Sequence, residues 1–182
     1  MNILMLVGSL RADSWTGHLA GVVSGLLPEG VESEVYAGLG DLPHYDQDLD
    51  TDQPPASVVA FRAAVERADG LVVATPEYNG SMPGVLKNAI DWASRPRGAS
   101  SLAEKPVAVI SVSPSPRGAQ WAREEAEKVL RVAGAVPLEV SLGVPSVHAA
   151  VVDGRLADQG VESALRSLMQ ALVAADEDRR AA

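Results

Sequence analysis

Residues 3–14 read ILMLVGSLRADS, so a short apolar run passes directly into a polar loop that begins with glycine. Five consecutive apolar residues are too few for a buried helix, and they predict a strand covered on both faces, as in a parallel sheet. Residues 70–75 and 107–112 have the same character. Residues 31–36 alternate more clearly, which predicts a strand near the edge of the sheet, and residues 137–141 form a weaker fifth candidate.

Helical patterns separate the apolar runs, and they predict helices over residues 14–27, 56–68, 84–94, 117–133 and 159–175. In the last of these, Leu165, Leu168 and Leu172 fall on one face at helical spacing. Strands and helices that alternate along the chain predict an α/β fold, with a doubly wound parallel sheet and helices on both faces. We expect one domain over residues 1–175, followed by a charged, frayed tail at 176–182.

The composition is that of a globular protein, because 47% of the 182 residues are hydrophobic and 21% are charged. The formal charge of −9 argues against nucleic-acid binding. The absence of cysteine excludes disulfides, thiolate metal sites and thiol catalysis. The three histidines, His18, His44 and His148, lack metal-ligand spacing, so no metal site is predicted. No run approaches the roughly 18 apolar residues of a membrane span and no signal peptide is recognisable, so we expect a cytoplasmic protein without membrane association.

The loop after the first predicted strand carries the donors that a phosphate monoester requires. Ser9 and Ser14 offer hydroxyl groups, Arg11 offers a fork of N–H donors, and the following helix begins with free backbone N–H groups. Neither G-x-G-x-x-G nor G-x-x-x-x-G-K-[ST] is present, which favours a single terminal phosphate over a pyrophosphate. The alternative is equally open: Ser14 caps the helix and Arg11 is simply solvated.

The loop after the third predicted strand, residues 75–84, reads TPEYNGSMPG. Two prolines and two glycines in ten residues favour an irregular, well-defined backbone. Asn79 and Gly80 tolerate positive φ and can point consecutive N–H groups outward. Such a loop, with Tyr78 available for packing, suits a flat heteroaromatic ring with acceptor atoms along its edge. An ordinary connection rich in proline and glycine remains the alternative.

Residues 75–95, TPEYNGSMPGVLKNAIDWASR, together with residues 8–14, resemble the NADPH-dependent FMN reductase family. That family includes flavin-containing quinone, chromate and azo-dye reductases. Residues 42–49, LPHYDQDL, are similar to the family's segment after the second strand, and the resemblance covers about residues 2–135. It implies a flavodoxin-like fold with a five-stranded parallel sheet of order 2-1-3-4-5, which binds FMN non-covalently.

The resemblance also implies which residues bind the cofactor. Those that would hold the phosphate are Ser9, Arg11, Ser14 and Thr16. Those that would line the isoalloxazine ring are Pro76, Glu77, Tyr78, Asn79 and Gly80. No side chain is assigned a catalytic role, because FMN carries the chemistry. Family members are dimers or tetramers with the flavin near a subunit interface, so we expect a homodimer or homotetramer. Trp92 belongs either to the core or to the interface, and the resemblance favours the interface.

Two segments depart from the family's pattern. Thr16 stands where the family usually has asparagine, so a hydroxyl remains but the amide is lost, and a lower phosphate affinity is expected. Residues 113–121, SPSPRGAQW, replace a glycine-rich loop after the fourth strand. Prolines stiffen this loop, and Arg117 and Trp121 are bulkier than glycine. Contacts that the family's loop makes to flavin or nicotinamide are therefore not transferred to it.

The chain has no redox-active side chain, so redox chemistry requires a cofactor. The expected function is an FMN-dependent NAD(P)H oxidoreductase, in which NADPH or NADH donates hydride to the flavin. A small acceptor is then reduced: a flavin, a quinone, an azo compound or a metal oxyanion. Candidate partners for the 2′-phosphate of NADPH are Arg11, Arg95, Arg97 and Arg117. The alternatives are an FMN-binding electron carrier or regulatory flavoprotein without turnover, and a small α/β binding module without flavin.

Overall fold

A computed structural model of the chain describes residues 1–152 and 155–181. Strands and helices alternate as the sequence predicts. The strands are β1 (Asn2–Val7), β2 (Glu32–Val35), β3 (Gly70–Thr75), β4 (Pro106–Val112), β5 (Val136–Pro137), β6 (Leu142–Val144), β7 (Val151–Val152) and β8 (Arg155–Leu156). The helices are α1 (Trp15–Ser24), α2 (Ala56–Arg67), α3 (Gly84–Ala93), α4 (Gln120–Val132), α5 (Val147–Ala150) and α6 (Gln159–Ala181).

The main sheet is parallel and runs in the order β2-β1-β3-β4-β5, which confirms the predicted doubly wound, flavodoxin-like topology. The prediction that the second strand lies at an edge is also confirmed. β7 and β8 form a separate antiparallel pair that the sequence analysis did not anticipate. In this topology the order of strands reverses between β1 and β3, and ligands of such sheets bind beyond the carboxyl ends of the strands at that point.

Both faces of the sheet are covered, as the continuous apolar runs predict. All residues of β3 and β4 are buried. Along β1 the side chains alternate, so Leu4 and Leu6 join a core with α2, α3 and α4, whereas Ile3 and Met5 join a second core with α1 and α6. The central strands are therefore packed on both faces, and the loops at their carboxyl ends start from this packed core.

The predicted fifth strand at residues 137–141 is wrong in detail. Two short pieces occupy its place: β5 pairs with the start of β4, and β6 pairs with the end of β4. The chain leaves the sheet between them. The Arg123 guanidinium lies there and donates hydrogen bonds to Ser141 Oγ and to Ser111 Oγ on β4, at 2.9 and 3.0 Å.

The C-terminal segment also differs from the expectation of a frayed tail at 176–182. α6 continues to Ala181, and Ala182 lies outside the described residues. The Asp176 side chain is buried and pairs with Arg179 at 2.6 Å and with Arg180 at 2.7 Å. Arg180 also pairs with Asp69, which precedes β3. The charges that suggested fraying instead form a network that fixes the end of the helix to the sheet.

In the described part of the chain, none of the helices combines the length and the apolar character that a membrane crossing requires.

Candidate functional site

The loops after β1 and β3 meet at the carboxyl edge of the sheet, and Gly8 permits the contact. Its backbone N–H donates to the carbonyl oxygen of Ala74 at 2.8 Å. A Cβ atom at position 8 would lie 3.2 Å from Pro76 Cδ and 3.3 Å from that carbonyl oxygen, so a larger residue would push the loops apart. The two segments predicted to bind phosphate and ring are therefore neighbours.

In the β1 loop, the structure realises the helix-cap alternative for Ser14. Its Oγ accepts a hydrogen bond from the Gly17 backbone N–H at 3.0 Å, and its own backbone is extended, as in an N-cap. Arg11 is exposed, and its guanidinium donates to the carbonyl oxygen of Asp13 at 2.9 Å. Thr16 is 2% exposed and belongs to the buried side of α1. Thr16 does not line the cavity beside this loop, whereas the other three predicted phosphate residues do.

A cavity of about 530 Å³ opens beside this loop. Its lining includes the predicted residues Ser9, Arg11 and Ser14 on one side and Val35, Tyr36 and Leu39 on the other. Burial, with the nearby Asp41 carboxylate as a smaller cause, raises the pKa of the Tyr36 phenol above its ordinary value. The phenol therefore stays protonated at neutral pH. Two serine hydroxyls and an exposed guanidinium beside a helix N-terminus suit a phosphate monoester.

The β3 loop contains a tight turn at Asn79 and Gly80, whose φ angles are 55° and 77°. Tyr78 and Ser81 flank it and exchange backbone hydrogen bonds at 3.0 and 3.1 Å. Positive φ at both central residues is the type I′ geometry, and Asn-Gly is the dipeptide that favours it. Asn79 and Gly80, which tolerate positive φ by their chemistry, both adopt it here. Tyr78, at the tip, is 50% exposed.

Two carboxylates attach this loop to α4, and we call Glu77 and Glu125 the carboxylate clasp. Glu77 accepts hydrogen bonds from the backbone N–H groups of Trp121 and Ala122, at 3.1 and 3.2 Å. It supplies the cap that Ala119, the residue before α4, cannot provide with a methyl group. In the other direction, Glu125 on α4 accepts from the Met82 backbone N–H at 3.1 Å and from the Ser81 hydroxyl. The loop is therefore held at both ends of its turn.

The sequence analysis assigned Glu77 to the ring site, and the structure commits its carboxylate to α4. Glu125 was missed, because its partners lie more than forty residues away in the chain and no local pattern reveals them. The start of α4 was also placed too early, at residue 117. Gly118 and Ala119 both have φ of 57°, a left-handed conformation that cannot continue a right-handed helix, so α4 begins at Gln120.

The expectation that Trp92 lies at a subunit interface is wrong. Its side chain is fully buried within the chain, and its indole Nε1–H donates to the Pro43 carbonyl oxygen at 2.8 Å. The Tyr45 ring packs against it with centroids 4.9 Å apart. Asn88, one turn earlier on α3, donates to the same carbonyl and accepts from the Tyr45 backbone N–H. These two residues of α3 therefore anchor the segment after β2 rather than a partner subunit.

Among residues 1–152 and 155–181, no group of three or more His, Asp or Glu residues could hold a metal ion. The site consists of hydroxyls, one guanidinium, exposed backbone and aromatic rings. It has the character of a binding site for a phosphorylated aromatic molecule.

Comparisons with known proteins agree with this geometry. The family model described as NADPH-dependent FMN reductase matches residues 1–149. An NAD(P)H-dependent FMN reductase of Pseudomonas aeruginosa is 35% identical over 175 residues, which cover 94% of this chain and 93% of that protein. A 2-hydroxy-1,4-benzoquinone reductase of Burkholderia sp is 48% identical over 113 residues, and the match covers 62% of this chain and 61% of that protein. The chain thus matches less than two thirds of the length of this relative.

Solved structures extend the comparison. The structure of FerB, a flavoenzyme NAD(P)H:acceptor oxidoreductase from Paracoccus denitrificans, has a TM-score of 0.87 and 36% sequence identity, with 97% of each chain covered. An oxidoreductase from Corynebacterium diphtheriae, at 16% identity and a TM-score of 0.71, shares the fold. The family model covers most of the chain, and the Pseudomonas aeruginosa relative aligns over nearly the full length of both proteins. The chain belongs to the NADPH-dependent FMN reductase family.

Proposed function

We propose that the chain is an FMN-dependent NAD(P)H oxidoreductase that reduces a small acceptor: a flavin, a quinone, an azo compound or a metal oxyanion. One observation carries the proposal. The contact at Gly8 and Pro76 brings a cavity lined by the exposed Arg11 guanidinium next to the Asn79-Gly80 turn that the carboxylate clasp holds. The cavity suits the phosphate end of one molecule and the turn suits its ring end. The names of the relatives, which are flavin and quinone reductases, support the same class of reaction.

In this proposal Ser9, Arg11 and Ser14 hold the FMN phosphate. Ser14 would act mainly through the helix N-terminus that it caps, and the buried Thr16 would contribute by packing. Bound FMN supplies the hydride and electron chemistry that the side chains lack.

The ring end is proposed to lie on Pro76, Glu77, Tyr78, Asn79 and Gly80. Because the Glu77 carboxylate is engaged with α4, this residue would contribute its backbone. Backbone N–H groups held in a fixed turn can stabilise negative charge at the edge of a ring without a general acid. The turn is suited to that task because the carboxylate clasp holds it in place before a ligand arrives.

Arg11→Ala is expected to lower FMN affinity about tenfold or more, since a hydrogen bond to a charged group contributes about 1.5–3 kcal/mol. The free energy of unfolding should change little, because the Arg11 side chain is exposed and its guanidinium bonds a carbonyl oxygen of its own loop, that of Asp13. FMN titration followed by quenching of flavin fluorescence measures the affinity. Arg131→Ala, which removes an exposed guanidinium from α4, is the matched control. Unchanged affinity in Arg11→Ala would contradict the phosphate assignment.

The class of protein can be decided in two measurements. Purified protein that is colourless and does not take up added FMN would contradict flavin binding. The remaining alternative would then be a small α/β binding module without flavin. Oxidation of NADPH or NADH in the presence of a quinone, compared with free FMN at the same concentration, separates the oxidoreductase from an electron carrier. We expect oxidation well above that of free FMN, and an equal rate would favour the carrier.

We further propose that the protein is a cytoplasmic homodimer or homotetramer built from one FMN-binding domain, in which residues 176–181 belong to α6. A groove of about 610 Å³ between α3 and α4 supports self-association, because it combines apolar and charged side chains. Val132 on its wall is 84% exposed. Val132→Glu should shift the protein toward the monomer in analytical ultracentrifugation.

Use of NADPH or NADH is consistent with a cytoplasmic location, which cell fractionation would test.

A further inference from the structure

Arg117 and Trp121 form an exposed ledge at the edge of the β3 loop. The guanidinium carbon of Arg117 lies 4.8 Å from the centroid of the Trp121 ring, which places the cation over the indole. Trp121 is 52% exposed, a large fraction for the largest apolar side chain. The ledge lies in the loop that departs from the family's glycine-rich pattern, so it is a property of this chain's own sequence.

The ledge is rigid. A Cβ atom built on Gly80 would lie 3.4 Å from Trp121 Cε3, so the indole rests on the Asn79-Gly80 turn. Below the ring, the Trp121 backbone N–H is fixed by the Glu77 carboxylate. The preceding backbone turns sharply through the left-handed residues Gly118 and Ala119. These contacts restrict the Trp121 ring, so it loses less conformational entropy when a ligand packs against it.

The charge of Arg117 is uncompensated within the residues that the structure describes, where it makes no ion pair. In a cation–π arrangement the flat face of the guanidinium covers the ring, and the N–H donors in its plane remain available. Those donors match the geometry of a carboxylate, phosphate or sulfonate.

We propose that the ledge binds a flat aromatic ring that carries an anionic group, with the ring packed against the exposed part of Trp121 and the anion on Arg117. The inference rests on the proposed function, because it places the ledge at the rim of the flavin site. Two kinds of molecule have this chemistry: the adenosine 2′-phosphate half of NADPH, and an aromatic acceptor that bears an acidic substituent. In either case the ledge determines which co-substrate this chain prefers.

Calorimetric titration of the FMN-loaded protein tests the ledge directly. The nucleotide probe is adenosine 2′,5′-bisphosphate, with adenosine 5′-monophosphate as its partner lacking the 2′-phosphate. The acceptor probe is anthraquinone-2-sulfonate, with a hydroxymethyl anthraquinone as its uncharged partner. In Arg117→Ala we expect the affinity for either the bisphosphate or the sulfonate to fall about tenfold, with little change in the affinity for its partner compound. Trp121→Ala should lower the affinity for both compounds of that pair, and Trp121→Phe should restore most of the lost affinity.

The two arms identify the source of the ligand. Loss confined to the bisphosphate assigns the ledge to NADPH and should be matched by a KM that rises for NADPH and not for NADH. Loss confined to the sulfonate assigns it to the acceptor. If Arg117→Ala and the control Arg131→Ala behave alike with both probes, the ledge proposal is wrong. The proposal is also wrong if acrylamide cannot quench the fluorescence of Trp121 in the native oligomer, because a partner subunit would then cover the ring.

The absorption spectrum separates this failure from failure of the proposed function. Retention of bound FMN in Arg117→Ala, together with unchanged probe affinity, contradicts the ledge alone. Wild-type protein that does not bind FMN contradicts the proposed function.

Discussion

Replacing Trp92 with alanine is expected to lower the free energy of unfolding by about 3–5 kcal/mol. The side chain is fully buried in the core formed with α2, α3 and α4, so its removal leaves a large cavity. The hydrogen bond from its indole to the Pro43 carbonyl oxygen is lost, and the guanidinium of Arg62, 5.5 Å from the ring centroid, loses its aromatic partner. Urea unfolding at equilibrium measures the change.

Two further variants separate the contributions at this position. Trp92→Phe keeps a ring in the cavity but has no N–H group for Pro43, so its loss of stability should be intermediate. Val132→Ala, at a position that is 84% exposed, should change stability within about 0.5 kcal/mol. A loss below about 1 kcal/mol in Trp92→Ala would mean that the ring is not part of the core.

Replacing Glu125 with alanine is expected to lower FMN affinity roughly tenfold and the free energy of unfolding by about 2 kcal/mol. The substitution leaves the Met82 N–H, on a residue that is 5% exposed, without its acceptor and releases the Ser81 hydroxyl. Binding must then restore the order that the carboxylate clasp now provides. Flavin titration and urea unfolding measure the two effects.

Glu125 acts through the loop, so it is a positioning residue, and the controls reflect that role. Glu125→Gln retains an acceptor oxygen and should recover most of the FMN affinity. Glu124→Ala removes the neighbouring exposed carboxylate, which accepts from Gln120 on the same helix, and should leave FMN affinity unchanged. Equal affinities in Glu125→Ala and Glu124→Ala would show that the loop keeps its shape without the clasp.

The elements of the fold were predictable where one local rule decided them. Continuous apolar runs identified β3 at its observed bounds and β4 within one residue, because burial on both faces leaves a continuous signal. The fifth strand was mispredicted because its bounds depend on where it pairs with β4, a contact between distant segments that no local pattern reveals. The helical extent of residues 176–181 was missed for the same reason, since Asp69 and Arg180 meet only in three dimensions.

Within the candidate site, conformations were more predictable than partners. Positive φ at Asn79 and Gly80 follows from side-chain chemistry alone, and so does the capping tendency of Ser14. The engagement of the Glu77 carboxylate does not follow from the sequence, because its partners are backbone N–H groups of another element. The burial of Trp92 was likewise hidden, since an indole with a distant carbonyl partner and an indole at an interface have the same local sequence.

The Asp69 carboxylate, described above as the partner of Arg180, also accepts a hydrogen bond from the Asn2 backbone N–H at 2.7 Å. The first strand and the last helix are therefore tied to one side chain at the amino edge of the sheet, opposite the loops that form the candidate site. This matters for handling the protein on a surface. An electrode or a resin attached beside Asn2 or Arg180 would face away from the carboxyl edge, and electron donors and acceptors in solution would still reach it.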